Sequence, residues 1–266
     1  MTARLDCLRA PGPVAIDGDL SKPAWRAAAW SPPFVDMVDG RPATQGTRAA
    51  CLWDDRALYV AFDVEERDLA ASADPPGGLV FQENDVEILI DGGDCYYEFE
   101  LNALGVTYEA FFIWRDAHRR GGRLDLPEFD LMARDAYGFA GDHDRTGEHF
   151  WRGTHPRGPR WAFRDWRLAG LEVAVRLDGT LNDPSDVDRG WTAEVALPWA
   201  GLRHLAGPRP LPPRPGDEWR VFLGRFQRQI NAGRPVLPHP ASVVAPHGMY
   251  DTHRPELWPV LTLRSA

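Results

Sequence analysis

Asp85-Val86-Glu87-Ile88-Leu89-Ile90-Asp91-Gly92-Gly93-Asp94-Cys95-Tyr96-Tyr97-Glu98-Phe99-Glu100-Leu101-Asn102 holds two alternating runs joined by a glycine pair. In the first, Val86, Ile88 and Ile90 recur at every second position, opposite Asp85, Glu87 and Asp91. In the second, Tyr97, Phe99 and Leu101 alternate with Glu98, Glu100 and Asn102. Successive side chains of a strand point to opposite faces, so a period of two predicts two strands, and Gly92-Gly93-Asp94 the turn of an antiparallel hairpin. The same alternation assigns Val86, Ile88, Ile90, Tyr97, Phe99 and Leu101 to a core. After Gly105, the run 106–112 continues as the next strand of a meander.

Similar β-rich runs lie at 57–65, 171–177, 191–197, 219–226 and 257–263, bounded by Gly, Pro or Asp, with Val195 and Val221 facing the core. Their spacing predicts an all-β fold: a two-sheet antiparallel β-sandwich of immunoglobulin-like or jelly-roll type with long loops. Short helical turns are expected at 23–29, capped by Ser21, and at 198–205. Residues 113–168 show no clear strand pattern and read as an irregular insertion within one domain spanning 1–266. The proline-rich stretch 208–215 reads as a stiff surface connection.

Composition agrees with this picture. The 266 residues are 44% apolar and 26% charged, enough to bury a core, and 24 prolines, 25 glycines and 11 tryptophans suit short strands and irregular loops better than long helices. A net charge of -9 repels phosphate backbones and anionic membrane surfaces, so no nucleic-acid partner is expected. No apolar run approaches the ~20 residues of a membrane helix, and the start lacks the apolar segment of an export signal, which predicts no membrane insertion and a cytoplasmic location. Cys7, Cys51 and Cys95 are odd in number and far apart, matching neither a zinc pair nor a CxxC motif, and read as buried thiols. No nucleophile elbow, phosphate-binding glycine loop or dinucleotide fingerprint is present.

Two polar segments have metal-ligating chemistry. The loop 182–188 brings Asp183, Asp186 and Asp188 together as candidate calcium ligands, because hard cations prefer several oxygens on a flexible loop; turns built on Asx side chains explain the same residues without metal. Asp142-His143-Asp144, Glu148-His149 and His155 supply transition-metal donor types at a spacing that matches no established signature.

Five segments, in order, resemble the family 9 carbohydrate-binding modules, a group of DOMON-like β-sandwiches. They are Ile16-Asp17-Gly18-Asp19 with Trp25; Leu58-Tyr59-Val60-Ala61-Phe62-Asp63-Val64; Glu83-Asn84-Asp85-Val86-Glu87-Ile88-Leu89-Ile90-Asp91; Gly190-Trp191-Thr192-Ala193-Glu194-Val195-Ala196-Leu197-Pro198-Trp199; and Pro255-Glu256-Leu257-Trp258 with Leu261. The resemblance implies non-catalytic binding of a saccharide or other small polyhydroxylated ligand in an aromatic slot at the sandwich edge. It places the two slot rings on Phe81 and Trp258 and the acidic ligand-binding residue on Glu87. Aromatic faces suit sugar C–H groups, and a carboxylate can accept bonds from neighbouring hydroxyls.

Glu100 stands where the family has a basic residue, so the ligand of the familiar members does not carry over. Sheet-edge packing accounts for Phe81 and Trp258 as well as stacking does, and a solvated strand face accounts for Glu87, Glu98 and Glu100. An enzyme on the same scaffold, a hydrolase, lyase or isomerase acting on a small glycoside or metabolite through carboxylate or His residues, stays open as the second reading.

Overall fold

The computed structural model describes residues 3–75, 78–140, 155–228, 230–231, 234–236 and 239–265. Its strands are β1 (Arg4–Arg9), β2 (Val35–Asp36), β3 (Thr47–Trp53), β4 (Ala57–Glu65), β5 (Asp85–Asp91), β6 (Cys95–Asn102), β7 (Thr107–Trp114), β8 (Ala136–Phe139), β9 (Arg160–Phe163), β10 (Glu172–Asp178), β11 (Gly190–Pro198), β12 (Glu218–Phe226), β13 (Ile230–Asn231), β14 (Arg234–Pro235), β15 (Ala241–Val243) and β16 (Val260–Arg264). Helix is confined to α1 (Pro23–Ala27), α2 (Arg203–Ala206) and a few 3-10 turns. No helix among the described residues is long and apolar enough to cross a membrane.

Most strands join one hydrogen-bonded path, β10-β11-β4-β3-β1-β16-β12-β5-β6-β7-β9-β8, with β15 beside β12 and β2 beside β15. Pairing is antiparallel except where β1 lies parallel to β16 and β3. The chain is thus all-β and mostly antiparallel, consistent with a β-sandwich, with hydrogen bonding continuous along this path. Strand β12 links the halves, with Glu218–Arg220 on β16 and Val221–Phe226 on β5.

The largest core draws on both halves of the path: Val60, Phe62 and Val195 from β4 and β11 pack in one cluster with Ile88, Phe99 and Val221. All eight residues assigned to the core by alternation belong to it, fully enclosed. The three cysteines are also buried there as free thiols, and desolvation pushes those of Cys51 and Cys95 up to about 12.

Departures from expectation have local causes. Strand β3 escapes pattern reading because both its faces are covered: Cys51 and Trp53 enter the main core, while Ala50 and Leu52 pack with Trp25 of α1. Strand β9 pairs with β7 and β8, so part of 113–168 extends the sheet rather than forming an irregular insertion. Its alternation is hidden because Arg160 is fully buried. Ser21 does not cap α1; the N-cap is Lys22, without a side-chain bond, and the Ser21 amide instead donates to Asp19 Oδ1 at 2.8 Å. Residues 255–257 form a 3-10 turn, so the last strand starts only at Val260.

Candidate functional site

Since Val86, Ile88 and Ile90 face the main core, the alternation in β5 and β6 sends Asp85, Glu87, Glu98 and Glu100 to the opposite face. That face is not solvated. Glu87, Glu98 and Glu100 retain only 4%, 5% and 1% of their exposure. A second apolar cluster roofs them, including Tyr108 and Phe112 of β7, Phe222 and Phe226 of β12 and Tyr250, with Phe81 and Phe139 packed against it.

Within this roof lies a cavity of about 100 Å³ lined by Phe81, Glu87, Glu98, Glu100, Tyr108, Phe112, Tyr137, Phe139, Phe226, Thr252 and His253. Glu87 and Glu100 are direct cross-strand partners, and Glu98 lies two residues along the same face from Glu100. Opposite Glu87 on β12 is Gly224, where a Cβ would lie 2.4 Å from the Phe222 ring; the missing side chain lets that ring lie over the strand. Phe81, on the 3-10 turn Val80–Gln82, meets Tyr108 edge-on at 5.8 Å, and Phe139 packs against His253 at 4.5 Å.

His253 is fixed from several directions. Its Nε2 lies 3.6 Å from Glu98 Oε1, its Nδ1 3.1 Å from the Tyr96 hydroxyl, and its backbone amide donates to Asp251 Oδ1 at 2.9 Å. Buried Arg160 donates to the His253 carbonyl while its guanidinium stacks 4.4 Å over Trp114. This cation positions the His253 loop without lining the cavity.

Crowded carboxylates out of water favour their neutral forms. Burial, then the neighbouring Glu98, Glu87 and Asp85, drive the Glu100 carboxyl well above its ordinary range, against a smaller opposing pull from the Phe81 backbone amide. Burial likewise raises Asp85, helped by Glu98 and opposed by the Phe226 amide and Arg225. The Tyr137 phenol rises to about 12, first through burial and then through Glu98. Glu100 Oε2 is buried with no hydrogen-bond partner among the described residues.

No protein-family model and no curated protein matches the sequence. Solved structures do match in fold. A proposed carbohydrate-binding protein from Bacteroides uniformis aligns over 99% of this chain and 100% of its own at a TM-score of 0.57 and 14% identity. A family 9 carbohydrate-binding module from Caldicellulosiruptor kristjanssonii, in complex with cellotriose, aligns over 98% and 95% at 0.51 and 15% identity. The glucose complex of such a module from the same organism aligns over 98% and 97% at 0.52 and 15%. The chain has the fold of a family 9 carbohydrate-binding module.

Within this family 9 fold, three of the four residues named for ligand contact, Phe81, Glu87 and Glu100, converge on the cavity. Trp258 does not line it. Its indole is fully enclosed, donates from Nε1 to the Thr252 carbonyl at 2.7 Å and meets Tyr96 edge-on at 5.7 Å. It therefore braces the segment that carries Thr252 and His253. The facing rings come instead from Tyr137 and Phe139 of β8 and Phe112 of β7. Tyr108 and Phe112 share the face of Ala110 by simple alternation along β7, a signal that sequence reading left unused.

The acidic loop carries a set of hydrogen-bonded turns. Asp188 accepts from the Leu69 amide through Oδ2 at 2.7 Å and from the Thr180 amide through Oδ1 at 2.6 Å. Gly179 permits this approach, since a Cβ there would lie 2.1 Å from Asp188 Oδ1. The Ser185 hydroxyl, and then its amide donating at 3.0 Å, lower the Asp183 carboxyl, and Asp186 is exposed. Among the described residues no group of three or more His, Cys, Asp or Glu could hold a metal ion. Of the histidine-rich segment, 142–149 lies outside the described residues; His155 Nε2 is paired with Glu256 Oε2 at 2.9 Å.

Proposed function

We propose that this chain binds a saccharide or a similarly polyhydroxylated small ligand without transforming it, and that the cavity under Phe81 takes one edge of a sugar ring. The observation that carries this reading is Glu100 Oε2, a buried acceptor without a partner, set in an aromatic-walled cavity. Leaving such an atom unsatisfied costs about 1–3 kcal/mol, which a ligand hydroxyl would recover, while the surrounding rings suit the C–H faces of a pyranose. A volume of about 100 Å³ is well below the roughly 300–1,000 Å³ of sites that engulf a drug-sized ligand, so one ring edge enters and the rest of the molecule stays outside. The named ligands of the two modules of the same fold, glucose and cellotriose, support the ligand class.

Isothermal titration of the chain against mono- and disaccharides tests the proposal. Saturable binding, lost in Phe81→Ala with folding retained, is the expected result. Heat from continuing turnover of a glycoside, abolished by Glu87→Gln, would instead favour an enzyme.

A further inference from the structure

The lining of this cavity is lopsided. Among the described residues Glu87, Glu98 and Glu100 offer acceptors and no Lys or Arg lines it; the rest of the wall is largely aromatic, with only the Tyr108, Tyr137 and Thr252 hydroxyls and the His253 imidazole as other polar groups. A neutral sugar hydroxyl both donates and accepts, so it is well served by a mixed wall. An ammonium group only donates, three times over, and aromatic faces attract it through their quadrupoles. Glu100 is 99% buried by its residual exposure of 1%, and its unpartnered Oε2 stands in this wall.

We propose that the cavity selects a protonated amine carried on the sugar ring, so that the ligand is an amino sugar rather than a neutral hexose. This rests on the saccharide reading above and narrows its ligand class. The nearby cations do not line the cavity and each has a partner of its own, although Arg160 Nε and Nη1 and Arg225 Nε have none among the described residues. Arg160 is turned to the His253 carbonyl, and Arg225 points to the other face of β12, where it pairs with Glu66 at 3.3 Å. Arg164, over the Tyr137 ring at 5.4 Å, is paired with Asp135 at 3.0 Å. His253 faces Glu98, and Glu100, directly across the hairpin from Glu87, is the group that receives the ammonium.

The test titrates the intact chain at neutral pH, where lower proton activity favours the ionised carboxylate, with D-glucosamine, D-glucose, N-acetyl-D-glucosamine and cyclohexylamine. Charge-assisted bonds are roughly twice as strong as neutral ones, so glucosamine should bind at least about tenfold more tightly than glucose or its N-acetyl derivative. Glu100→Gln keeps the shape and removes the group that a bound ammonium would draw into its ionised form. It should erase most of that preference while glucose affinity changes less, with a thermal melt confirming the fold. Glucose or N-acetylglucosamine binding as tightly as glucosamine would overturn the amine inference and leave the saccharide reading intact. So would a preference that survives in Glu100→Gln and in Glu87→Gln. Binding of cyclohexylamine but of no sugar would keep the ammonium site and remove the saccharide reading, and silence from all four probes would remove both.

Discussion

The two faces of the β5-β6 hairpin are equally enclosed and chemically opposite. On one, Val86, Ile88, Ile90, Tyr97, Phe99 and Leu101 are fully buried against other apolar side chains. On the other, Glu87, Glu98 and Glu100 are shut away almost as completely, beside Asp85. Burying the first set releases apolar surface from water and stabilises the fold; burying the second strips carboxylates of hydration and works against it. Alternation along this hairpin thus separates a stabilising face from a costly one, not an inside from an outside. That costly burial, concentrated in one cavity, is what makes it the candidate site.

The largest expected effect lies on the apolar face. Phe99→Ala should cost about 3–5 kcal/mol of unfolding free energy in urea titrations, the usual range for deleting a buried aromatic, whereas partly buried Phe81→Ala should cost far less and act mainly on binding. Equal losses at the two positions would erase the distinction between the faces. Next comes Gly224→Ala, whose added Cβ must displace the Phe222 ring over the acidic face; a loss of about 1–3 kcal/mol is expected from such overpacking, together with weaker saccharide binding.

Glu100→Gln should move stability the other way. The native carboxyl titrates above its ordinary range, so the native state holds a proton that the unfolded chain gives up. Its contribution is therefore complete below the ordinary carboxylate range and is lost as pH rises through the raised native value. The variant should gain on the order of 1–3 kcal/mol near neutral pH and show a flatter decline of stability between acid and neutral solution. A variant less stable than the parent at neutral pH would contradict the burial assigned to this group. Trp258→Phe, which removes the bond to the Thr252 carbonyl and part of a fully enclosed ring, should cost about 1–2 kcal/mol and loosen the His253 segment, measurable as reduced affinity. Smallest of all, Asp186→Ala on the exposed loop should stay within about 0.5 kcal/mol with or without added calcium. A calcium-dependent rise in melting temperature that this change abolishes would restore the loop as a metal site.

The hairpin was readable because each strand has one apolar side and one acidic side, and period-two spacing records that directly. Strand β3 was not, because Ala50 and Leu52 are covered by α1 while Cys51 and Trp53 face the main core, which leaves no polar phase to detect. Strands β8 and β9 are four residues long, and a buried arginine disguises the second. At the candidate site, Glu87 and Glu100 were reachable because the hairpin fixes their face, and Phe81, on the preceding 3-10 turn, only because the family resemblance marks its position. Tyr137, Phe139, Thr252 and His253 arrive from segments far away in the chain, and only the folded arrangement brings them there. Trp258 drew attention as a large aromatic, but the Thr252 carbonyl satisfies its one polar atom, which lets the ring sink out of reach of any ligand.

The buried thiols have a practical side. Thiolate, the form that reacts with maleimides and iodoacetamide, is scarce at neutral pH when the native cysteines are held out of solvent and pushed to about 12, as Cys51 and Cys95 are. Met132, exposed to 94%, lies on the segment leading into β8, close in sequence to the cavity residues Tyr137 and Phe139. Replacing it with cysteine would create a single fast-labelling position, so a fluorophore could report directly on whether β8 shifts when a sugar arrives, with the three native sulfurs left in place.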